Sequence, residues 1–162
     1  MSVIHSRKGV SVNVPDHVHR APHPSDSLRM PHTAMAVSPA RRRIRAELAE
    51  LGLADEVLDD VEVVVSELLG NSVRHARPIA GGILLLTWKV GEDELVIKVT
   101  DGGGGRGVEQ REPAPLADSG RGLQIVERLS LKWGVADHAG GLRTVWASFA
   151  LSGRRRGLRL VT

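Results

Sequence analysis

Cysteine and tyrosine are absent from the 162 residues, and one Phe and three Trp make up the whole aromatic complement. Without Cys there are no disulfides and no thiolate metal sites, which fits a reducing compartment such as the cytoplasm. With so few aromatic platforms the chain has little to stack against unpaired bases, which counts against a single-strand nucleic-acid binder. The core must therefore be aliphatic, drawn from the 41% of residues that are hydrophobic. No apolar run approaches the ~20 residues that a membrane-spanning helix needs, and the polar, His-rich start is unlike a signal peptide.

A net charge of +3 and a pI near 9.9 point at first to a polyanion binder. The location of the charge removes that reading. Residues 1–33 carry four Lys/Arg against two Asp/Glu, and residues 152–162 carry four Arg and no acid. Between them, residues 34–151 hold 14 basic and 17 acidic groups, a net of −3. A basic face for a phosphate backbone is poorly supported, so neither direct nucleic-acid binding nor membrane association is expected.

The length fits one domain with tails. Residues 1–27, with four His among three Pro, read as a disordered or adaptable tail; 28–151 read as the folded domain; 152–162 read as a basic tail. Leu28–Ala36 is expected to supply a short edge strand. Ser38 and Pro39 suit a helix start, and Ile44, Leu48 and Leu51 form its apolar stripe before Gly52. Arg41, Arg42, Arg43 and Arg45 on that helix are either a solvated face or a docking surface for an acidic partner. A second helix is expected from Asp55 to Ala76, with acids at its positive end, Arg74 and His75 at its negative end, and Pro78 beyond. Ile83–Val90 and Leu95–Thr100 read as a hairpin. A long loop follows, then a helix over Gly122–Leu131, then strands at Lys132–Asp137 and Arg143–Leu151. That order gives an α+β fold: a two-layer sandwich of a mixed, mostly antiparallel sheet with helices on one face.

Familiar phosphate motifs fail. No GxxxxGK[ST] is present. Gly102–Gly107 fits GxGxxG formally, but a charged, proline-containing stretch follows in place of an apolar helix. A different ordered set survives. Glu67 and Asn71 stand one turn apart on a helix, where they can face one cleft as a base and as an oxygen ligand for a hard cation. Asp101 ends a strand just before Gly102-Gly103-Gly104-Gly105, offering an acceptor beside a backbone that a flat ligand can approach. Gly120-Arg121-Gly122-Leu123 then opens a helix. Each element alone has an ordinary reading, as the polar side of a helix, a turn or a helix entry.

Together, with VVVSELLGNSVRHA over residues 63–76, Trp133-Gly134-Val135 and Gly141-Leu142-Arg143-Thr144-Val145-Trp146, the set resembles the Bergerat-fold (GHKL) ATPases and kinases. It is most similar to the RsbW-like anti-sigma-factor serine/threonine kinases, over roughly residues 35–151. The resemblance implies ATP and Mg²⁺ as cofactors. It implies Glu67 as general base, Asn71 as Mg²⁺ ligand and Asp101 as acceptor of the adenine amino hydrogen. Gly103 and Gly105 would let the loop pass the base, and Gly120, Arg121, Gly122 and Leu123 would wrap the phosphates. Thr144 would support the adenine. Implied partners are a sigma factor and an anti-anti-sigma (antagonist) protein whose serine is phosphorylated, with a homodimer as the expected assembly. Two departures stand out: Gly70 inside the helix, expected to hold Asn71 less firmly, and Gly102, expected to loosen the loop. The principal alternative is a non-catalytic ATP-dependent protein-binding switch. The catalytic half of a histidine kinase is disfavoured, because a helical hairpin with a phosphoacceptor His is missing.

Overall fold

Alternation builds the sheet. The computed structural model describes residues 4–5, 25–104 and 120–151. Its elements are β1 (Ile4–His5), β2 (Ser25–Pro31), α1 (Ala34–Glu50), α2 (Asp55–His75), β3 (Ile83–Val90), β4 (Glu94–Asp101), α3 (Gly120–Leu129), β5 (Lys132–Asp137) and β6 (Arg143–Ala150). On β3 every second residue is buried (Leu84, Leu86, Trp88, Val90), and on β4 the matching set is Leu95, Ile97, Val99 and Asp101. A period of two places those side chains on one face of the sheet. The helices lie against that face, and Ile44, Leu48, Val61, Val64, Val65, Leu68, Leu69 and Val126 join the strand residues in one aliphatic core.

The six strands run in the order β1-β5-β6-β4-β3-β2. Every ladder among the described residues is antiparallel, so the sheet is not mixed. Because β4 and β6 are neighbours, the chain must leave β4 at Asp101, form α3 and β5, and return beside it. That excursion brings the end of β4, the start of α3 and the middle of α2 into one region. The face of the sheet away from the helices carries half-buried Leu85, Thr87, Val96, Thr100 and Trp146.

Three elements differ in their bounds from the sequence-based expectation. The edge strand begins at Ser25 and pairs with β3 from Ser25↔Lys89 to Pro31↔Ile83. Helix α1 starts at Ala34, with extended Thr33 before it, and Pro39 lies inside it. Ala34, Met35 and Ala36 are good or fair helix formers, and Ala36 and Val37 pack against the core. That packing outweighs the cost of Pro39, where the ring and the Met35 carbonyl it deprives of a donor belong to exposed residues. Helix α3 starts at Gly120, two residues before the expected start. Of the expected tails, 1–27 and 152–162, residues 1–3, 6–24 and 152–162 lie outside the described residues, while Ile4–His5 pair with β5 and residues 25–27 belong to β2.

The arginine-rich start of α1 has partners within the domain. Arg41 meets Glu62 of α2 at 3.2 Å, Arg45 meets Asp59 and Glu62 at 2.8 Å each, and Arg43 meets Glu47 at 2.7 Å. The Arg41 and Arg45 pairs bind α1 to α2, the Arg43 pair lies within α1, and Arg42 is the member of the cluster without a described ion pair. A docking surface made of free arginines is not what this helix presents.

Candidate functional site

Helix α2 carries two functional rows. Acidic Asp55 and Glu56 at its start and Arg74 and His75 at its end complement the helix dipole. Its apolar row, Val57, Val61, Val64, Val65, Leu68 and Leu69, is buried. Steps of roughly 100° per residue place Glu67, Gly70, Asn71 and Arg74 together on another sector. Glu67, Gly70 and Asn71 are half-buried and Arg74 is exposed.

Glu67 reaches the first turn of α3. A Cβ built on Gly122 would lie 2.7 Å from Glu67 Oε2, so the absence of a side chain at 122 lets the carboxylate stand against that turn. Gly120, Arg121, Gly122 and Leu123 are the first four residues of α3, and their N–H groups have no partner inside the helix. Free N–H groups and the positive end of the dipole make this turn suited to an anion. The expected phosphate-wrapping residues and the expected base thus lie together.

Asp101 is 2% exposed at the end of β4. Ser72 Oγ donates to its Oδ2 at 2.6 Å, and the Gly103 N–H donates to its Oδ1 at 2.8 Å. Each oxygen keeps lone-pair capacity for a further donor. Ser72 was not among the expected site residues. Its signal in the sequence is a small polar residue on the apolar row of α2, one step from Asn71. Its carbonyl in turn lies 3.0 Å from His32 Nε2. Beyond the helix, the Arg77 N–H donates to Gly103 O at 2.9 Å and the Gly102 N–H donates to Arg77 O at 2.8 Å. A Cβ on Gly102 would collide with the Pro78 carbonyl oxygen. Glycine there permits a close backbone clasp, contrary to the expected loosening. Gly103 has φ +72°, the left-handed region that favours glycine. Gly105 lies outside the described residues.

Thr144 is placed elsewhere. Cross-strand partners share a face, and the register pairs Thr100 with Thr144 and Asp101 with Arg143. Thr144 Oγ1 lies 2.7 Å from Thr100 Oγ1 and 3.0 Å from His138 Nε2, on the face opposite Asp101. Arg143 is the β6 residue brought to the Asp101 side. Its Nε and Nη2 donate to Asp137 Oδ1 and Oδ2 at 2.6 and 3.2 Å. That hydrogen bonding holds the Asp137 carboxyl below the usual carboxylate range against the opposing effect of partial burial. It also raises the Arg143 guanidinium above its ordinary value.

No group of three or more His, Asp or Glu among the described residues could cage a metal by itself. The donor set fits Mg²⁺ in a different manner. This ion keeps several waters and binds through substrate phosphates with few protein oxygens, a role open to the half-buried Asn71 amide. A separate depression of about 380 Å³, lined by residues including Ser27, Thr87, Lys89 and Lys98, shares no residue with this cluster.

An antiparallel sheet with three helices on one face, a carboxylate–amide pair on the central helix and a buried Asp before a glycine loop define a Bergerat-type (GHKL) domain. The chain belongs to the family described as the histidine kinase-like ATPase domain, whose model matches residues 30–149. It is similar to the serine-protein kinase RsbW of Listeria innocua, with 29% identity over 91 residues, 56% of this chain and 58% of that one. The anti-sigma F factor of Clostridium acetobutylicum is 31% identical over 97 residues, 54% of this chain and 66% of that one. The chain thus matches less than two thirds of the length of either relative. A solved structure of the RsbU and RsbW domains of a Mycobacterium tuberculosis protein has the same fold, with a TM-score of 0.61 at 22% identity. That match covers 82% of this chain and 34% of the other.

Proposed function

We propose that this chain is an ATP-binding anti-sigma protein that transfers the γ-phosphate of ATP to a serine of a small antagonist protein. The observation that carries the reading is the convergence of Glu67, the Asn71 amide, the N-terminus of α3 and buried Asp101, which Ser72 holds one residue beyond Asn71, along the C-terminal half of α2. Family membership and the functions named for the relatives support it.

In this reading Asp101, fixed by Ser72 and Gly103, accepts the adenine amino hydrogen. Arg143 lines the same side of the sheet, and Thr144 supports the strand from the far face without touching the base. Backbone N–H groups of Gly120–Leu123 receive phosphate oxygens. Glu67 takes the proton of the serine hydroxyl as its oxygen bonds to the γ-phosphorus and the bond to the β-phosphate oxygen breaks, releasing ADP. When bound, Mg²⁺ supplies charge neutralisation on the phosphates, and Asn71 is the residue that would hold it. Phosphoryl transfer depends mainly on positioning and electrostatics, so this small set is sufficient in principle. A cytoplasmic homodimer holding a sigma factor completes the proposal, with residues 28–151 as its nucleotide-binding unit.

Asp101→Asn places an NH₂ or a weaker acceptor where the adenine amino group needs a carboxylate. A hydrogen bond to a charged group is worth about 1.5–3 kcal/mol, so ATP affinity falls about ten-fold or more. Calorimetric titration of wild type and variant reads that loss, and an unchanged affinity removes Asp101 from the base pocket. For the function itself, the chain is incubated with Mg-ATP labelled at the γ-phosphate and candidate antagonist proteins. Label on an antagonist serine supports the kinase. ATP-dependent partner binding with no transfer to a cognate antagonist supports the switch.

A further inference from the structure

The side of the sheet away from the helices carries a charge that composition does not explain. Residues 34–151 hold 14 basic and 17 acidic groups, yet the register gathers bases on this side. Strand residues alternate between the two faces, and cross-strand partners share one. Ser25, Lys89, Val96, Ser148 and Lys132 form one row across β2, β3, β4, β6 and β5, and Ser27, Thr87, Lys98 and Trp146 form the next. Arg29 and Leu85 belong to a third. Arg29, Lys89, Lys98 and Lys132 are exposed, and Glu94 is the one acid on this face among the described strand residues. None of those four bases has an ion pair among the described residues.

The surface is also concave. The depression of about 380 Å³ over β2, β3 and β4 is lined by Ser27, Thr87 and Val96 together with Lys89 and Lys98. Those two lysines are diagonal neighbours across β3 and β4, with Cα atoms about 7–8 Å apart, a spacing that carboxylates can bridge. The Asp26 carboxylate at the rim is already engaged, by the Ser27 N–H at 2.6 Å and by Arg43 at 3.7 Å. Beside Val96 in the register, Ser148 is 1% exposed, and its Oγ has no hydrogen-bond partner among the described residues. Few buried hydroxyls are left in that state.

Shape and charge together decide the class of partner. Trp146 does not project: a Cβ on Gly134 would lie 2.9 Å from its Cζ2 and Nε1, so the ring is laid flat toward β5. A bilayer surface is entered by projecting apolar side chains, whereas a depression receives one. A nucleic-acid backbone would answer the bases and leave the apolar part of the depression unfilled. A second copy of this face would set bases against bases.

We infer that this open face docks a protein partner, through a segment whose apolar side chain enters the depression and whose flanking Asp or Glu residues meet Lys89 and Lys98. The inference is independent of the nucleotide-site reading, because Asp101 points to the other side of the sheet, where α2 carries Glu67 and Asn71.

Fluorescence anisotropy on the full chain tests it, with a labelled short peptide in which a central leucine is flanked by glutamates. Wild type binds this peptide. Lys89→Glu/Lys98→Glu weakens binding about ten-fold, as two exposed attractions become repulsions, and leaves ATP affinity unchanged. Exchanging the peptide's leucine for glycine also weakens binding, and exchanging its glutamates for lysines abolishes it. Arg42→Glu/Arg128→Glu removes the same net charge from exposed positions in the helical layer and leaves peptide affinity nearly unchanged. Circular dichroism checks the fold of each variant. No binding by wild type, equal affinity in Lys89→Glu/Lys98→Glu, or an equal loss in the two double variants overturns the inference. Tighter binding of a DNA duplex or of phosphatidylserine vesicles, lost in Lys89→Glu/Lys98→Glu, overturns it in favour of a polyanion. Self-association in sedimentation, lost in that variant, overturns it in favour of a second copy. ATP binding that persists through any of these results leaves the nucleotide site standing.

Discussion

Glu67→Gln slows phosphate transfer to the antagonist by about 10²–10⁴-fold, the usual contribution of a general base, and leaves ATP affinity nearly unchanged. The variant keeps the shape of the side chain and its fit against Gly122, where no Cβ intervenes. It cannot accept the serine proton. Glu67 lies at the α3 end of the site, and the base-reading carboxylate, Asp101, is tied to Ser72 and Gly103, so the two functions separate. A transfer time course run beside a nucleotide titration reads both. Transfer at the wild-type rate in Glu67→Gln eliminates Glu67 as the base. Parallel losses of affinity and rate would assign it to binding.

Asn71→Ala abolishes the gain in ATP affinity that Mg²⁺ confers, while metal-free binding of the adenosine portion survives. The amide oxygen is the one neutral oxygen donor on the cleft sector of α2, and a hard cation with few protein ligands is sensitive to losing one. Removing a half-buried side chain leaves no large cavity, and Ala is the better helix former. The fold is therefore retained, and circular dichroism checks that. Titrations with Mg²⁺ and with chelator, on both proteins, give the result. A magnesium dependence identical in wild type and variant assigns the metal to another ligand.

Much of this architecture is legible in the sequence because it is written in periods. The charge gradient and apolar spacing of α2 give a helix at residues 55–75 despite the β-branched run Val63-Val64-Val65. Strands β3, β5 and β6 fall within a residue of their expected ends for the same reason. The start of α1 was hidden because Pro39 reads as a first-turn residue, and only packing of Ala36 and Val37 explains a helix that continues back through it.

The layout of the candidate site was legible in its helical part and less so in its strand part. Glu67 and Asn71 follow from i, i+4 spacing, which one helix fixes. Thr144 depends on parity: a shift of one residue along β6 exchanges the faces, placing Arg143 with Asp101 and Thr144 with Thr100. Ser72 and Gly102 act through contacts between segments distant in the chain, with Asp101 in one case and with Arg77 and Pro78 in the other. No local pattern encodes those distances. The arginines of α1 were ambiguous for the same reason, since two of them are answered by acids on α2.

Calorimetric titration of the wild-type protein with Mg-ATP and with Mg-GTP tests the central claim most directly. Buried Asp101, acceptor-only and held by two donors, wants an exocyclic amino group and meets a carbonyl oxygen at that place on guanine. The account predicts ATP binding at one site per chain, with GTP weaker by about ten-fold or more. Equal affinity for the two nucleotides, or no binding of ATP, would contradict it.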